Sequence, residues 1–214
     1  MAVQAYAGES QSYFSPYLLF AALGLVAGIL TRLTDFFPSG DLWSFSSIAT
    51  LFGFWMVTVT LVIYVSRSNK DAAVNVLLYL FMMNFGFYFL NYILGLFIPL
   101  FYTEGVQWDL FIVYNLLALI CSAVGYVLYY WNRSGRLSSF LYALPVSGLA
   151  AETVGVGIYL AKHQTFLFQF LFDIAGLIVF GGWFYRKANN KLLYIAAIAV
   201  VSSSSYFLVY QPFL

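Results

Sequence analysis

The fold is decided by residues 138–184, SSFLYALPVSGLAAETVGVGIYLAKHQTFLFQFLFDIAGLIVFGGWF, in which two long apolar segments flank a short loop. A helix needs about 20 mostly apolar residues to cross the hydrocarbon core of a bilayer. Segments 138–160 and 166–184 meet this requirement, and each carries one carboxylic acid in its interior, Glu152 and Asp173. The stretch therefore predicts two antiparallel transmembrane helices with an acid inside each.

The rest of the chain continues this pattern in both directions. Five further segments are long and apolar enough to span a membrane, at about 13–31, 45–65, 72–101, 110–130 and 192–210. The connections are short, so we predict an all-α polytopic membrane protein in which residues 1–214 form a single domain, a bundle of seven transmembrane helices. The first span should not be a cleavable signal, because Met1–Gln11 contains no Lys or Arg.

The composition excludes several other classes of protein. Of 214 residues, 63% are hydrophobic and 8% are charged, whereas about 25% of a soluble domain is charged. A soluble enzyme, a disordered protein and a nucleic-acid binder, which would need a basic surface, are excluded on this ground. The single cysteine, Cys121, allows no internal disulfide, and we expect neither a metal site nor a cofactor, because no ligand cluster or nucleotide-binding motif is present.

The distribution of Lys and Arg predicts the orientation in the membrane. Loops rich in these residues stay in the cytoplasm. The segments after the second, fourth and sixth predicted spans carry Arg67, Lys70, Arg133, Arg136, Arg186, Lys187 and Lys191, and the opposite side carries only Arg32 and Lys162. We therefore predict a cytoplasmic N-terminus, an external C-terminus and a location in the cell (plasma) membrane, as a bacterial inner-membrane protein.

The two acids within spans are the first candidate site residues. A charged side chain at the bilayer centre costs about 2.5–3.5 kcal/mol on insertion scales, so such residues usually have a function. Counting about 1.5 Å per residue from the connecting loop places Glu152 and Asp173 roughly 10–12 Å below the outer boundary. Because consecutive spans joined by a short loop are usually neighbours, we expect the two carboxyl groups to lie near each other.

Other polar residues fall in the same outer half of the predicted bundle. Asn91 and Asn115 lie at similar depth, and Tyr88 shares a helix face with Asn91. Arg32 and Asp35 close the outer end of the first span. Together with the acids, these residues predict a ligand-binding site that opens outward.

The chemistry of the acid pair is left open by the sequence. The acids could pair with Arg32, they could bind a cationic or hydrogen-bonding solute, or they could share a proton, because two like charges buried together disfavour double ionisation. They could also serve only to fix helix packing. Gly24 and Gly28 form a GxxxG pair, which lets another helix approach closely, either within the bundle or on a separate membrane partner.

Residues 18–65, LLFAALGLVAGILTRLTDFFPSGDLWSFSSIATLFGFWMVTVTLVIYV, combine a first helix with small residues, a proline-containing outer loop and a second helix that begins with Ser, Thr and Gly. This stretch resembles the substrate-binding S components of energy-coupling factor vitamin transporters, and the chain is also similar to small bacterial multipass proteins of unknown function. The resemblance implies a binding subunit whose first helix touches a membrane partner. S components have six helices and an AxxxA pattern where this chain has Gly24 and Gly28.

These observations lead to a functional prediction. We expect an integral membrane protein that binds and transports a small solute through an outward-facing polar site, alone or as the binding subunit of a larger transporter. Two alternatives remain: a membrane-embedded enzyme that uses the acid pair as general acid and base, and an accessory subunit of a membrane complex. The lack of a clear nucleophile or metal set ranks the enzyme lower.

Overall fold

The computed structural model describes residues 14–213, which contain helices and no strand. The α-helices are α1 (Phe14–Leu33), α2 (Ser47–Thr50), α3 (Gly53–Val65), α4 (Asn69–Gly95), α5 (Trp108–Leu128), α6 (Arg136–His163), α7 (Leu167–Lys187) and α8 (Lys191–Ser205). A π-helical turn, Tyr206–Tyr210, extends α8. Within residues 14–213, six helices are long and apolar enough to cross a membrane, so the chain is a multipass membrane protein by length and composition.

The second predicted span, 45–65, is not one continuous helix. The short helix α2 is separated from α3 by Leu51, whose backbone is extended at φ −98° and ψ 161°. The 13 residues of α3 extend only about 20 Å, against a hydrocarbon core of about 30 Å. The Thr50 hydroxyl donates to the Ser47 carbonyl at 3.1 Å, and such side-chain bonds compete with the regular helical ladder. The prediction of seven spans is therefore confirmed for six long helices, with a shorter apolar helix in place of the seventh.

The third predicted span, 72–101, also ends earlier than expected. Helix α4 stops at Gly95, and Pro99–Phe101 form a separate 3-10 turn. A Cβ atom on Gly95 would lie 2.6 Å from the Phe101 carbonyl oxygen, so the chain can fold back this tightly only because residue 95 is glycine.

The helices form two groups on either side of α3. Helix α4 packs against α1 and α5, while α6 packs against α7 and α8. Helix α3 contacts α4 and α5 in the first group and α6 and α7 in the second. The short helix α3 therefore joins the two groups, together with the 3-10 turn Tyr129–Asn132, which follows α5 and packs on α6.

The GxxxG pair of α1 is used inside the chain. Gly24 lies against the backbone of Tyr79, and Gly28 lies against the backbone of Met83, both on α4. The absent side chains bring these two helices into close contact, as small residues do in membrane bundles. Helix α4 therefore occupies the Gly24 and Gly28 surface at which the sequence predicted a possible contact with a separate membrane protein. That partner stays a prediction.

Candidate functional site

The two intramembrane acids converge on the first turn of α3. Glu152 on α6 and Asp173 on α7 are both fully buried, and their charges lie close enough to interact. The Asp173 carboxylate lies against Gly53, where a Cβ atom would collide with it, and accepts a hydrogen bond from Gln169 Nε2 at 2.7 Å. The Tyr210 hydroxyl donates to Glu152 Oε2 at 3.2 Å. We call Gly53, Glu152, Gln169, Asp173 and Tyr210 the acid cluster.

The hydrogen bonding within the acid cluster is incomplete. Glu152 Oε1, Gln169 Oε1 and Asp173 Oδ2 are buried and have no hydrogen-bond partner among residues 14–213. None of the five cluster residues is basic, so two carboxyl groups share a water-poor environment without a counter-charge inside the cluster. In the same range of the chain, no group of three His, Cys, Asp or Glu residues is placed to hold a metal ion.

The break before α3 supplies a positive partner from the backbone. The N–H groups of Phe52 and Gly53 face Glu152. The first N–H groups of a helix have no partner within the helix, and the helix dipole places partial positive charge there. The acid cluster therefore contacts the one part of a helix that favours a nearby anion.

We call Ala49–Gly53, which contains the break between α2 and α3, the broken segment. A central cavity lies on the side of this segment that faces away from the acids, between α3, α4 and α5. Its polar part has a volume of about 190 Å³ and is lined by Thr31, Asp35, Thr50, Trp55, Asn84, Tyr88 and Tyr114. Its apolar part has a volume of about 350 Å³ and is lined mainly by Phe52, Val59, Leu80, Leu117 and Cys121. The two parts adjoin each other, since Thr50, Trp55 and Tyr114 line both.

Amide and aromatic groups shape the polar part of the central cavity. Asn84 Nδ2 donates to Asn115 Oδ1 at 3.4 Å, and Asn115 Nδ2 donates to the Phe111 carbonyl at 2.7 Å. The ring centroid of Tyr114 lies 6.1 Å from that of Trp55 and 6.2 Å from that of Tyr88. Tyr88 and Asn84, which precedes Tyr88 by one helical turn, therefore line this cavity, and Asn115 holds Asn84 by a hydrogen bond without lining the cavity itself.

Arg32 does not reach the acid cluster. Its guanidinium pairs with Asp35 and lies over the rings of Phe101 and Phe87, with its Cζ 4.4 Å and 5.2 Å from their centroids. Arg32 and the buried Asn91 line a separate space of about 270 Å³ beside the polar part of the central cavity. The Arg32 charge is thus neutralised at the end of α1 and not by Glu152 or Asp173.

The candidate residues predicted from the sequence therefore occupy three places and not one. Asp35 and Tyr88 line the central cavity, where Asn115 bonds to Asn84, and Arg32 and Asn91 line the neighbouring space. Glu152 and Asp173 lie apart from both, in the acid cluster.

The segment Ala49–Gly53 joins the central cavity to the acid cluster, because Thr50 lines the cavity and Gly53 contacts both acids. The sequence interpretation missed Gly53 and Tyr210, and no local pattern distinguishes either residue. Asn84 carried a signal, since it shares a helical face with Tyr88 and Asn91.

No family model, curated protein or solved structure matches this chain. The functional interpretation accordingly depends on the geometry of the acid cluster and the central cavity.

Proposed function

We propose that this protein binds a small solute in the central cavity and moves it across the bacterial inner membrane, alone or as the binding subunit of a larger transporter. In this proposal the acid cluster takes up and releases a proton during the cycle. The observation that carries the proposal is the broken segment before α3, which forms a wall of the cavity and also contacts both acids.

A broken helix at membrane depth supports a transport role. Irregular backbone inside a membrane is tolerated only where it is buried in protein or lines a cavity, and transporters often bind substrates and ions at such breaks. Leu51 and Phe52 satisfy this condition, because they line the apolar part of the central cavity.

The arrangement also provides a mechanism that couples the cluster to the cavity. An ionised Glu152 attracts the N–H groups of Phe52 and Gly53, and a protonated one attracts them less, because the helix terminus favours negative charge. Uptake of a proton thus loosens the broken segment from α6 and α7. Since Thr50 and Phe52 also line the cavity, the same movement changes its shape.

Transport can be tested by using Cys121 as a reporter of binding. It is the single cysteine of the chain, and it lines the apolar part of the central cavity. Solutes are selected from a small-molecule panel by their ability to slow modification of Cys121 by methyl methanethiosulfonate in lipid nanodiscs. Each selected solute is then added to proteoliposomes that contain the pH-sensitive dye pyranine, and its uptake is measured together with proton movement.

We expect the wild-type protein to move solute and protons together. The double variant Glu152→Gln and Asp173→Asn should still protect Cys121 but lose proton movement, because neither amide can ionise. The matched control, Glu104→Gln with Asp109→Asn, makes the same chemical changes at exposed positions and should behave as wild type. Normal proton movement by the double variant, or the absence of any solute that protects Cys121 in the wild type, would contradict the proposal. Binding without transport by the wild type would exclude transport by this chain alone and retain only its role as a binding subunit.

A further inference from the structure

The central cavity has almost no net charge to offer a ligand. Among the described residues that line it, Asp35 is the one charged side chain, and Arg32 pairs with it. An ionic ligand would leave water for a space where no unpaired opposite charge compensates it, and that transfer is unfavourable. The lining therefore selects against both anions and cations.

The polar part of the cavity carries hydrogen-bonding groups that are free to bind a ligand. Asn84 uses its Nδ2 in the bond to Asn115, whereas its Oδ1 accepts no hydrogen bond from residues 14–213 and is not sealed off from the cavity. The hydroxyl groups of Tyr88 and Tyr114 have no hydrogen-bond partner in the same range. One carbonyl acceptor beside two hydroxyl groups complements an amide-type group, which donates through N–H and accepts through its oxygen.

The rest of the cavity complements an apolar body. The rings of Trp55, Tyr88 and Tyr114 surround the polar part at centroid separations of 6.1 Å and 6.2 Å, a spacing typical of aromatic contacts. The adjoining apolar part, which Trp55 also lines, is bounded by Val59, Leu80 and Leu117. A flat ring next to the amide group and an aliphatic tail would fill these two regions.

We propose that the central cavity binds an uncharged amphipathic molecule with an amide-type head group, a flat ring and an apolar tail. The inference rests on the proposed function, because it names the class of solute for that site. Asn84 accepts the N–H of the head group, Tyr88 and Tyr114 donate to its oxygen, and the tail points toward Cys121.

Three probes with the same ring and tail test the role of charge. They are 4-butylbenzamide, 4-butylbenzoate and 4-butylbenzylammonium, which are neutral, anionic and cationic at neutral pH. The readout is the rate of Cys121 modification by methyl methanethiosulfonate in nanodiscs. We expect the benzamide to protect Cys121 with an affinity at least about tenfold higher than either ion. Replacing 4-methylbenzamide by longer homologues should raise the affinity up to about fourfold for each added methylene.

A charge placed at the polar end should reverse the preference. Asn84→Asp puts an unpaired carboxylate where the head group lies, and the benzylammonium probe should then bind at least about tenfold more tightly than it binds the wild type. Asn75→Asp is the matched control, because Asn75 is also buried on α4 but lines a different space. Asn84→Leu, which removes the acceptor without adding charge, should lower the affinity for the benzamide and create no preference for either ionic probe.

The results separate this inference from the proposed function. Equal protection by all three probes would show that only the tail is bound, as with a lipid chain, and would overturn the inference. No protection of Cys121 by the benzamide would also overturn it. An Asn84→Asp variant with the same probe affinities as the Asn75→Asp control would do the same. Proton-coupled transport of a charged solute without benzamide binding would overturn the inference alone. Benzamide binding by the wild type, together with normal proton movement by the double variant Glu152→Gln and Asp173→Asn, would overturn the proposed function alone.

Discussion

The contact between α3 and α7 predicts a specific cost for a methyl group on Gly53. An ideal Cβ at this position would lie 2.5 Å from Gln169 Nε2 and 2.9 Å from Asp173 Cγ, and closer still to Asp173 Oδ1. The Gly53→Ala substitution must therefore push the acid away from the first turn of α3. Because Asp173 is fully buried, the displaced carboxyl group must move among packed side chains.

The size of the effect follows from the packing. Inserting a methyl group into a closely packed interior costs about 1–3 kcal/mol, and we expect Gly53→Ala to lower the free energy of unfolding by that amount. In an Asp173→Ala background most of the obstruction is gone, because the remaining neighbour, Gln169 Nε2, is the end of a flexible side chain. Gly53→Ala should then change stability by no more than about 0.5 kcal/mol, which gives a coupling energy of about 1–3 kcal/mol between the two positions.

A double-mutant cycle measures this coupling. Unfolding of the four proteins, wild type, both single variants and the double variant, is followed in mixed micelles by circular dichroism as denaturing detergent is added. Gly182→Ala serves as the control, since an added Cβ there meets no atom within 4 Å. A Gly53→Ala variant as stable as Gly182→Ala, or a coupling energy near zero, would refute the packing of Asp173 on Gly53.

Two further predictions address the acid cluster and the topology. Tyr210→Phe removes the hydroxyl that donates to Glu152 at 3.2 Å and should destabilise the protein by about 1–3 kcal/mol in the same unfolding assay. Tyr206→Phe is the control and should be nearly neutral, because the Tyr206 hydroxyl has no partner in the described chain. Equal losses of stability in the two variants would contradict the hydrogen bond between Tyr210 and Glu152. In a cysteine-free background, Ser39→Cys and Ser134→Cys replace exposed loop serines at opposite ends of the bundle. A membrane-impermeant maleimide added to intact cells should label the cysteine at position 39 and not the one at position 134. The reverse pattern would overturn the predicted orientation.

Much of the architecture was predictable because it depends on local hydropathy. A helix in a bilayer satisfies its own backbone hydrogen bonds, so an apolar run of sufficient length predicts a span almost independently of its neighbours. The runs at 110–130, 138–160 and 166–184 correspond to α5, α6 and α7 within three residues at each end. The same reasoning was wrong for 45–65, because hydropathy alone does not register a break that buried neighbours stabilise.

The site was less predictable because it depends on contacts between distant segments. The acids on α6 and α7 stood out by their cost in a membrane, but Gly53 has no feature that relates it to them. Tyr210 follows Glu152 by 58 residues, and its contact depends on how the end of α8 packs on α6. For Arg32 the sequence suggested a long-range partner where the structure has a local one. Its charge was considered as a partner for Glu152 and Asp173, whereas Asp35, one turn away, neutralises it.

The amino-acid sequence by itself determined that this chain is a multipass helical membrane protein and that two acids lie inside its spans, because solvation of apolar and charged groups is a local property. Only the tertiary structure decided that the predicted second span is broken before α3, that Glu152 and Asp173 meet at the first turn of α3, and that the cavity lies on the other side of that break. Those features depend on the rotation and register of packed helices. The contacts that set rotation and register come from side chains far apart in the chain.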